Sequence, residues 1–192
     1  MENKFLAHIA EDGREQTVFE HLAEEFSRPF GGEAQGLLAG TAHDIGKYSA
    51  AFQRRLTGDS RRVDHATAGA FECMGRGQPF AAFAVAGHHG GLPDGGGRGD
   101  GPEAATFWGR IKRAGRGGLE PYGAWVREVS LPGGQPPPFA KQNPGAGMFF
   151  IRMLYSCLVA ADFLDTEDFM SGKPRGSCSG CWKKKAPSIR PL

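Results

Sequence analysis

The sequence predicts an all-α single domain. Three observations carry that expectation. Apolar residues recur at three- and four-residue steps through most of the chain. No alternating apolar and polar stretch is long enough to argue for a sheet. A chain of 192 residues with 40% hydrophobic content suits one substantial core.

The expected elements follow in order. Val18, Phe19, Leu22 and Phe26 outline a first helix, with His21 on its apolar side. Leu37, Leu38, Thr41, Ala42 and Ile45 outline a second, with His43, Asp44 and Lys47 within one turn. Asp64 or a neighbour suits the cap of a third helix over 66–74. Pro79 fits the first turn of a fourth over 80–87, which His88 and His89 end. Pro102 opens a fifth, with Phe107, Trp108 and Ile111 on one face, and Pro121 opens a sixth through Trp125 and Val129. The last and longest runs over about 146–169.

Two connections stand out. Residues 90–101 hold seven glycines in twelve positions and read as flexible by composition. They lack the order of a nucleotide-binding P-loop. Residues 131–145 carry five prolines and three glycines and read as a long irregular connection.

The formal charge of +2 hides an asymmetry. Residues 171–192 hold six basic residues and no acid, which leaves residues 1–170 at −4. We read 1–170 as the domain and 171–192 as a basic, disordered tail able to meet phosphates nonspecifically. Four cysteines are too few for a disulfide framework. Cys73 and Cys157 fall in apolar stretches, and the single pair Cys178 and Cys181 lacks a second ligand pair for zinc. No apolar run of bilayer-spanning length and no signal-peptide core are evident, so a cytoplasmic protein without a membrane partner is expected.

The chemistry-bearing residues form one set: His21, His43, Asp44, His65, His88, His89 and Asp162, with Lys47 three residues after Asp44. His21 points inward and needs a polar partner there. Asp162 sits in the apolar run Leu158-Val159-Ala160-Ala161-Asp162-Phe163-Leu164, where a carboxylate is costly unless paired or metal-bound. Asp44 beside His43 offers a carboxylate able to bridge two metals. Singly, each of these residues has an ordinary structural explanation. Their joint occurrence on separate helices points to a metal site.

A histidine followed directly by aspartate, then single and paired histidines and a late aspartate, resembles the HD superfamily of helical metallohydrolases. The segment His43-Asp44-Ile45-Gly46-Lys47 running to Phe52-Gln53, with His88-His89-Gly90-Gly91-Leu92 and Asp162-Phe163-Leu164-Asp165-Thr166-Glu167, narrows the resemblance. It is similar to the HD nuclease domain of the CRISPR type I helicase-nuclease, with an N-terminus like that of type I-C members. The resemblance implies metal ligands at His21, His43, Asp44, His65, His88, His89 and Asp162, and catalytic roles for Asp44 and Lys47. His8 is not a ligand in that pattern. Many type I-C members carry an acid where this chain has Ala160. No Walker A or DEAD-like segment is present, so the expected unit is a nuclease without its helicase.

What this implies is a metal-dependent deoxyribonuclease that hydrolyses phosphodiester bonds of single-stranded DNA in CRISPR interference. Two divalent ions would serve it, with imidazole-rich ligation favouring Mn, Fe, Co or Ni over Mg. Implied partners are single-stranded DNA, the Cascade surveillance complex and a separate helicase subunit. Two alternatives share much of this pattern. One is an HD phosphohydrolase acting on nucleotides. The other is a helicase-free competitor that docks on Cascade.

Overall fold

A computed structural model describes Leu6–Ile9, Glu15–Thr17 and residues 26–171. Of the expected first helix only Phe26 is described, and it lies outside any helix. His21 and residues 172–192 with the CxxC lie outside the described residues, while Ser171, expected to open the tail, ends the last helix. The body is helical, as its periodicity implies. Six α-helices occur among the described residues: α1 (Glu33–Ala42), α2 (Ala50–Leu56), α3 (Ala66–Gly75), α4 (Pro79–Gly87), α5 (Phe107–Gly115) and α6 (Pro144–Ser171). The expectation of no sheet is corrected. β1 (Leu6–Ile9) pairs antiparallel with β2 (Glu15–Thr17), and His8 stands opposite Gln16. Strands of four and three residues are too short for alternation to register as a pattern.

The core lies where α1, α3, α4 and α6 meet. Leu38, Ala39 and Ala42 of α1, Ala70 and Cys73 of α3, and Ala81, Ala82, Ala84, Val85 and Ala86 of α4 are buried there. Alanines let these helices approach closely, and larger residues of α6 fill the remaining space. Phe150 is fully buried and meets Phe30, Phe80 and Phe139 edge to face, with centroids 5.5–5.9 Å apart.

Two glycines permit close backbone approaches beside the site. A Cβ on Gly69 of α3 would fall on the carbonyl oxygen of Ala42, and one on Gly46 would fall on the carbonyl oxygen of His65. The contacts press the end of α1 and the turn that follows it against the start of α3, so only glycine fits.

The second expected helix ends early. His43 is the C-cap of α1, Asp44 leaves helical geometry at φ −103° and ψ 8°, and Ile45–Tyr48 forms a 3₁₀ turn. Ser49 then caps α2, its hydroxyl accepting from the Phe52 amide. Sequence periodicity does not predict α2, because seven residues carry too little of it.

The third and fourth helices stand where expected. The fifth begins after Pro102, at Phe107, because the Thr106 hydroxyl accepts from the Gly109 amide and so caps it. The sixth is only a 3₁₀ turn, Gly123–Arg127, with Trp125 buried. Glycines at 117 and 118 before it and Pro132 after it leave little chain for a full helix.

The glycine-rich connection is braced by hydrogen bonds. Asp100 accepts from the Gly97 amide and the Thr106 hydroxyl, Asp94 accepts from the Gly96 amide, and Lys112 donates to the carbonyls of Arg98 and Asp100. Composition shows none of these pins.

The expectation of no span-length apolar run is also corrected. Within α6, Pro144–Glu167 is long and apolar enough to cross a membrane by length and composition alone. Its apolarity has a use inside the domain. Phe150, Leu154, Leu158 and Ala161 are buried in the core, and Asp162 faces His43.

Candidate metal centre

The break at the end of α1 creates the centre of the site. In a 3₁₀ turn residues three apart eclipse one another. Lys47 therefore lies over Asp44 rather than over His43, with its Nζ 2.6 Å from Asp44 Oδ2. Both side chains are buried, at 3% and 1% exposure. A buried carboxylate in this position meets a cation supplied from its own turn.

Asp44 divides its two oxygens between two sides. Oδ2 faces His43 Nε2 at 3.3 Å, and Oδ1 faces His65 Nε2 at 3.5 Å and His88 Nε2 at 3.8 Å. His43 Nε2 also lies 3.7 Å from Asp162 Oδ1. His65 Nε2 and His89 Nε2 are 2.8 Å apart. Two ligand groups result: Asp44 with His65, His88 and His89, and Asp44 with His43 and Asp162. Asp44 belongs to both.

The backbone fixes which histidine nitrogen is available. His43 Nδ1 is 2.7 Å from the Gly40 carbonyl, and His88 Nδ1 is 2.7 Å from the Val85 carbonyl. A carbonyl only accepts, so Nδ1 carries the proton in both rings. Each Nε2 is thereby turned toward Asp44, and in His88, which burial keeps neutral, it presents a lone pair. Both histidines are C-cap residues, of α1 and α4, and both bond the carbonyl three residues earlier. The same local device is used twice.

Burial keeps the rings neutral. It pushes His65 down to about 4, against the opposing pull of the Asp44 charge. Burial drives His88 well below the usual imidazole value, with His43 adding to the effect. It lowers His89 as well, although that ring lies toward solvent. Neutral imidazole is the form that binds a metal ion.

Whether these residues suit a cation is tested by their donor balance. His88 Nε2 is buried and has no hydrogen-bond partner among the described residues, and the nearest Asp44 oxygen is also an acceptor. Facing acceptors with no proton between them favour a positive ion. The cluster of Asp44, His65, His88 and His89 can hold a metal ion.

The structure thus brings together His43, Asp44, Lys47, His65, His88, His89 and Asp162. The remaining expected ligand, His21, lies outside the described residues. Three supports stand beside the ligands, and of their residues Asp64 is already expected from the sequence as a cap of α3. Gly46 and Gly69 permit the close approach of the two ligand segments. Phe52 packs edge to face on His65 at 5.0 Å and lies 5.6 Å from Lys47 Nζ. Asp64 accepts from the amide and the hydroxyl of Thr67, and so orders the entry to α3 beside His65.

No protein-family model matches this chain, and no curated protein matches it either.

Proposed function

We propose that this chain is a metal-dependent phosphodiesterase that cleaves single-stranded DNA, and that it uses two divalent ions. The observation that carries the reading is the Asp44 carboxylate, which turns one oxygen to each of two ligand groups. A carboxylate so placed is suited to bridge two cations. His65, His88 and His89 would hold one ion, and His43 and Asp162 the other. Bound there, the ions supply an activated water and relieve charge on the phosphate.

The residues of the chain supply the rest. Lys47 would fix the orientation of Asp44, in the manner of a point charge. The carbonyls of Gly40 and Val85 hold the His43 and His88 rings in the ligating tautomer. His89 gives the site its open side, where a flexible strand can approach. The imidazole share of the ligands favours Mn, Fe, Co or Ni over Mg.

The choice of DNA, and of Cascade and a helicase as partners, rests on the sequence resemblance around His43-Asp44 and His88-His89. Metal-free protein reloaded with Mn²⁺ and given labelled single-stranded DNA, double-stranded DNA and mononucleotides tests the proposal. Mn²⁺-dependent cleavage confined to the single strand is expected. Hydrolysis of mononucleotides alone would replace the nuclease with a nucleotide phosphohydrolase. Cascade binding by a chain that cuts nothing would favour a competitor.

A further inference from the structure

One guanidinium links the two segments that bear the His65, His88 and His89 ligands. Arg110 of α5 donates from Nη2 to Asp64 Oδ1 at 2.8 Å, from Nη1 to the Ala86 carbonyl at 2.7 Å, and from Nε to the Thr67 hydroxyl. The Thr67 hydroxyl in turn donates to Asp64 Oδ2 at 2.5 Å, and the Thr67 amide donates to Asp64 Oδ1 at 3.1 Å. Asp64 immediately precedes His65. Ala86 lies two residues before His88 and three before His89.

We propose that Arg110 is a positioning residue of the metal centre, acting by holding the start of α3 at a fixed distance from the end of α4. The inference rests on the metal-site reading above. Its bonds end on groups beside the ligands. A rigid planar fork suits this task, because its donors leave in fixed directions toward three different acceptors. Lysine, with one nitrogen on a flexible stem, does not reproduce it.

The path of the chain supports a dedicated role. After His89 the glycine-rich connection departs and α5 returns, and the bond from Arg110 to Ala86 closes that excursion on itself. The return is held in register by the amide of Phe107, which donates to the Asp94 carbonyl at 2.7 Å. It is also held by Lys112, which donates to the carbonyl of Asp100 at 2.6 Å. The loop is thus built to deliver Arg110 to the flank of the site. What it holds there is the 2.8 Å approach of His65 Nε2 to His89 Nε2. Two nitrogens on one ion must keep about this spacing, since each bonds at about 2.0–2.1 Å.

The test uses the full chain, stripped of metal and titrated with Co²⁺, whose visible absorption reports ligand number and geometry. Arg110→Gln is expected to bind Co²⁺ about 10-fold more weakly or worse, in the range seen for residues that orient ligands. Its absorption band should change while helical circular dichroism is retained. Arg110→Lys is expected to recover only part of the affinity. Asp64→Asn retains the acceptor for the Thr67 amide but removes the charge facing Arg110. It should show the same direction of change, and it decides the matter where Arg110→Gln fails to fold. A folded Arg110→Gln or Asp64→Asn with parental affinity and spectrum would overturn the inference, and so would full restoration by lysine. If the parent takes up no Co²⁺, this inference and the metal reading fall together. If the parent binds Co²⁺ and the variants behave as expected but no DNA is cut, only the nuclease reading fails.

Discussion

His65 Nε2 and His89 Nε2 face each other across 2.8 Å, one from the start of α3 and one from just beyond the end of α4. The pair shares either one proton or one ion. The two residues differ in surroundings: His65 is buried, whereas His89 lies toward solvent.

That difference separates binding from folding. His89→Ala removes a candidate ligand from the open side and is expected to weaken metal binding at least about tenfold, with little change in the melting temperature of the metal-free chain. His88→Ala removes a buried ring together with its bond to the Val85 carbonyl, and should cost about 1–3 kcal/mol of stability as well. Calorimetric metal titration beside thermal melts followed by circular dichroism checks both. Equal losses of stability in the two variants would contradict the assignment.

Asp44 calls for a different comparison. From sequence alone, Asp44→Ala is expected to abolish cleavage without unfolding the protein. The structure changes the second half of that expectation, because Lys47 is buried against Asp44 at 2.6 Å. Removing the carboxylate leaves a desolvated ammonium, a change that costs about 3–5 kcal/mol in buried pairs. Asp44→Ala should therefore lose both activity and stability. In the double variant Asp44→Asn with Lys47→Met the fold should recover and the cleavage should not. Single-strand digestion and urea denaturation of the three proteins read these outcomes.

The neutral histidines make the metal-free chain acid-sensitive. His65 is pushed by burial down to about 4, while in the unfolded chain a histidine titrates near 6.5. Between these values the unfolded chain takes up a proton that the folded chain does not. Stability is therefore fully present above pH 6.5 and falls as pH descends toward 4. At about 1.4 kcal/mol per unit, His65 alone accounts for about 3 kcal/mol. His88 shifts in the same direction and adds to the loss. Urea denaturation of metal-free protein across the range from neutral pH down to about 4 measures it, and His65→Phe should flatten the curve. A midpoint independent of pH would show that His65 is not held neutral.

Several parts of this architecture are legible in the sequence, and the reasons differ. The helix carrying Asp162 declares itself through a long apolar run, and His88-His89 falls at the end of a helix opened by Pro79. The ligand types are visible because histidine and aspartate in apolar segments need polar partners. The Asp44–Lys47 pair is visible as a spacing, yet its cause is not. The chain leaves the α-helix at Asp44, and only the 3₁₀ turn that follows places Lys47 on the carboxylate. Arg110 gives no signal, because its partners lie 24, 43 and 46 residues away. A contact of that kind is made by tertiary packing and has no local pattern. The strands are too short to show one.

Gly69 offers the sharpest test of how the ligand segments are brought together. A Cβ there would fall on the Ala42 carbonyl oxygen, one residue before His43, and would also press on Val85 Cγ1 at 3.0 Å. The first obstacle is backbone, which cannot rotate away as a side chain would. Gly69→Ala must push α3 off the end of α1, and overpacking of this kind costs about 1–3 kcal/mol. In an unconstrained helix the same substitution would stabilise by about 1 kcal/mol, so the sign itself is diagnostic. Because α3 begins beside His65, the displacement should also widen the gap between His65 and Asp44 and reduce metal affinity. By contrast, a Cβ added at Gly75 would meet nothing within 4 Å, and Gly75→Ala should be neutral or stabilising. Thermal melts of the two variants, with and without Mn²⁺, give the comparison. A Gly69→Ala chain as stable as its parent would mean that α1 and α3 do not approach as closely as the ligand geometry requires.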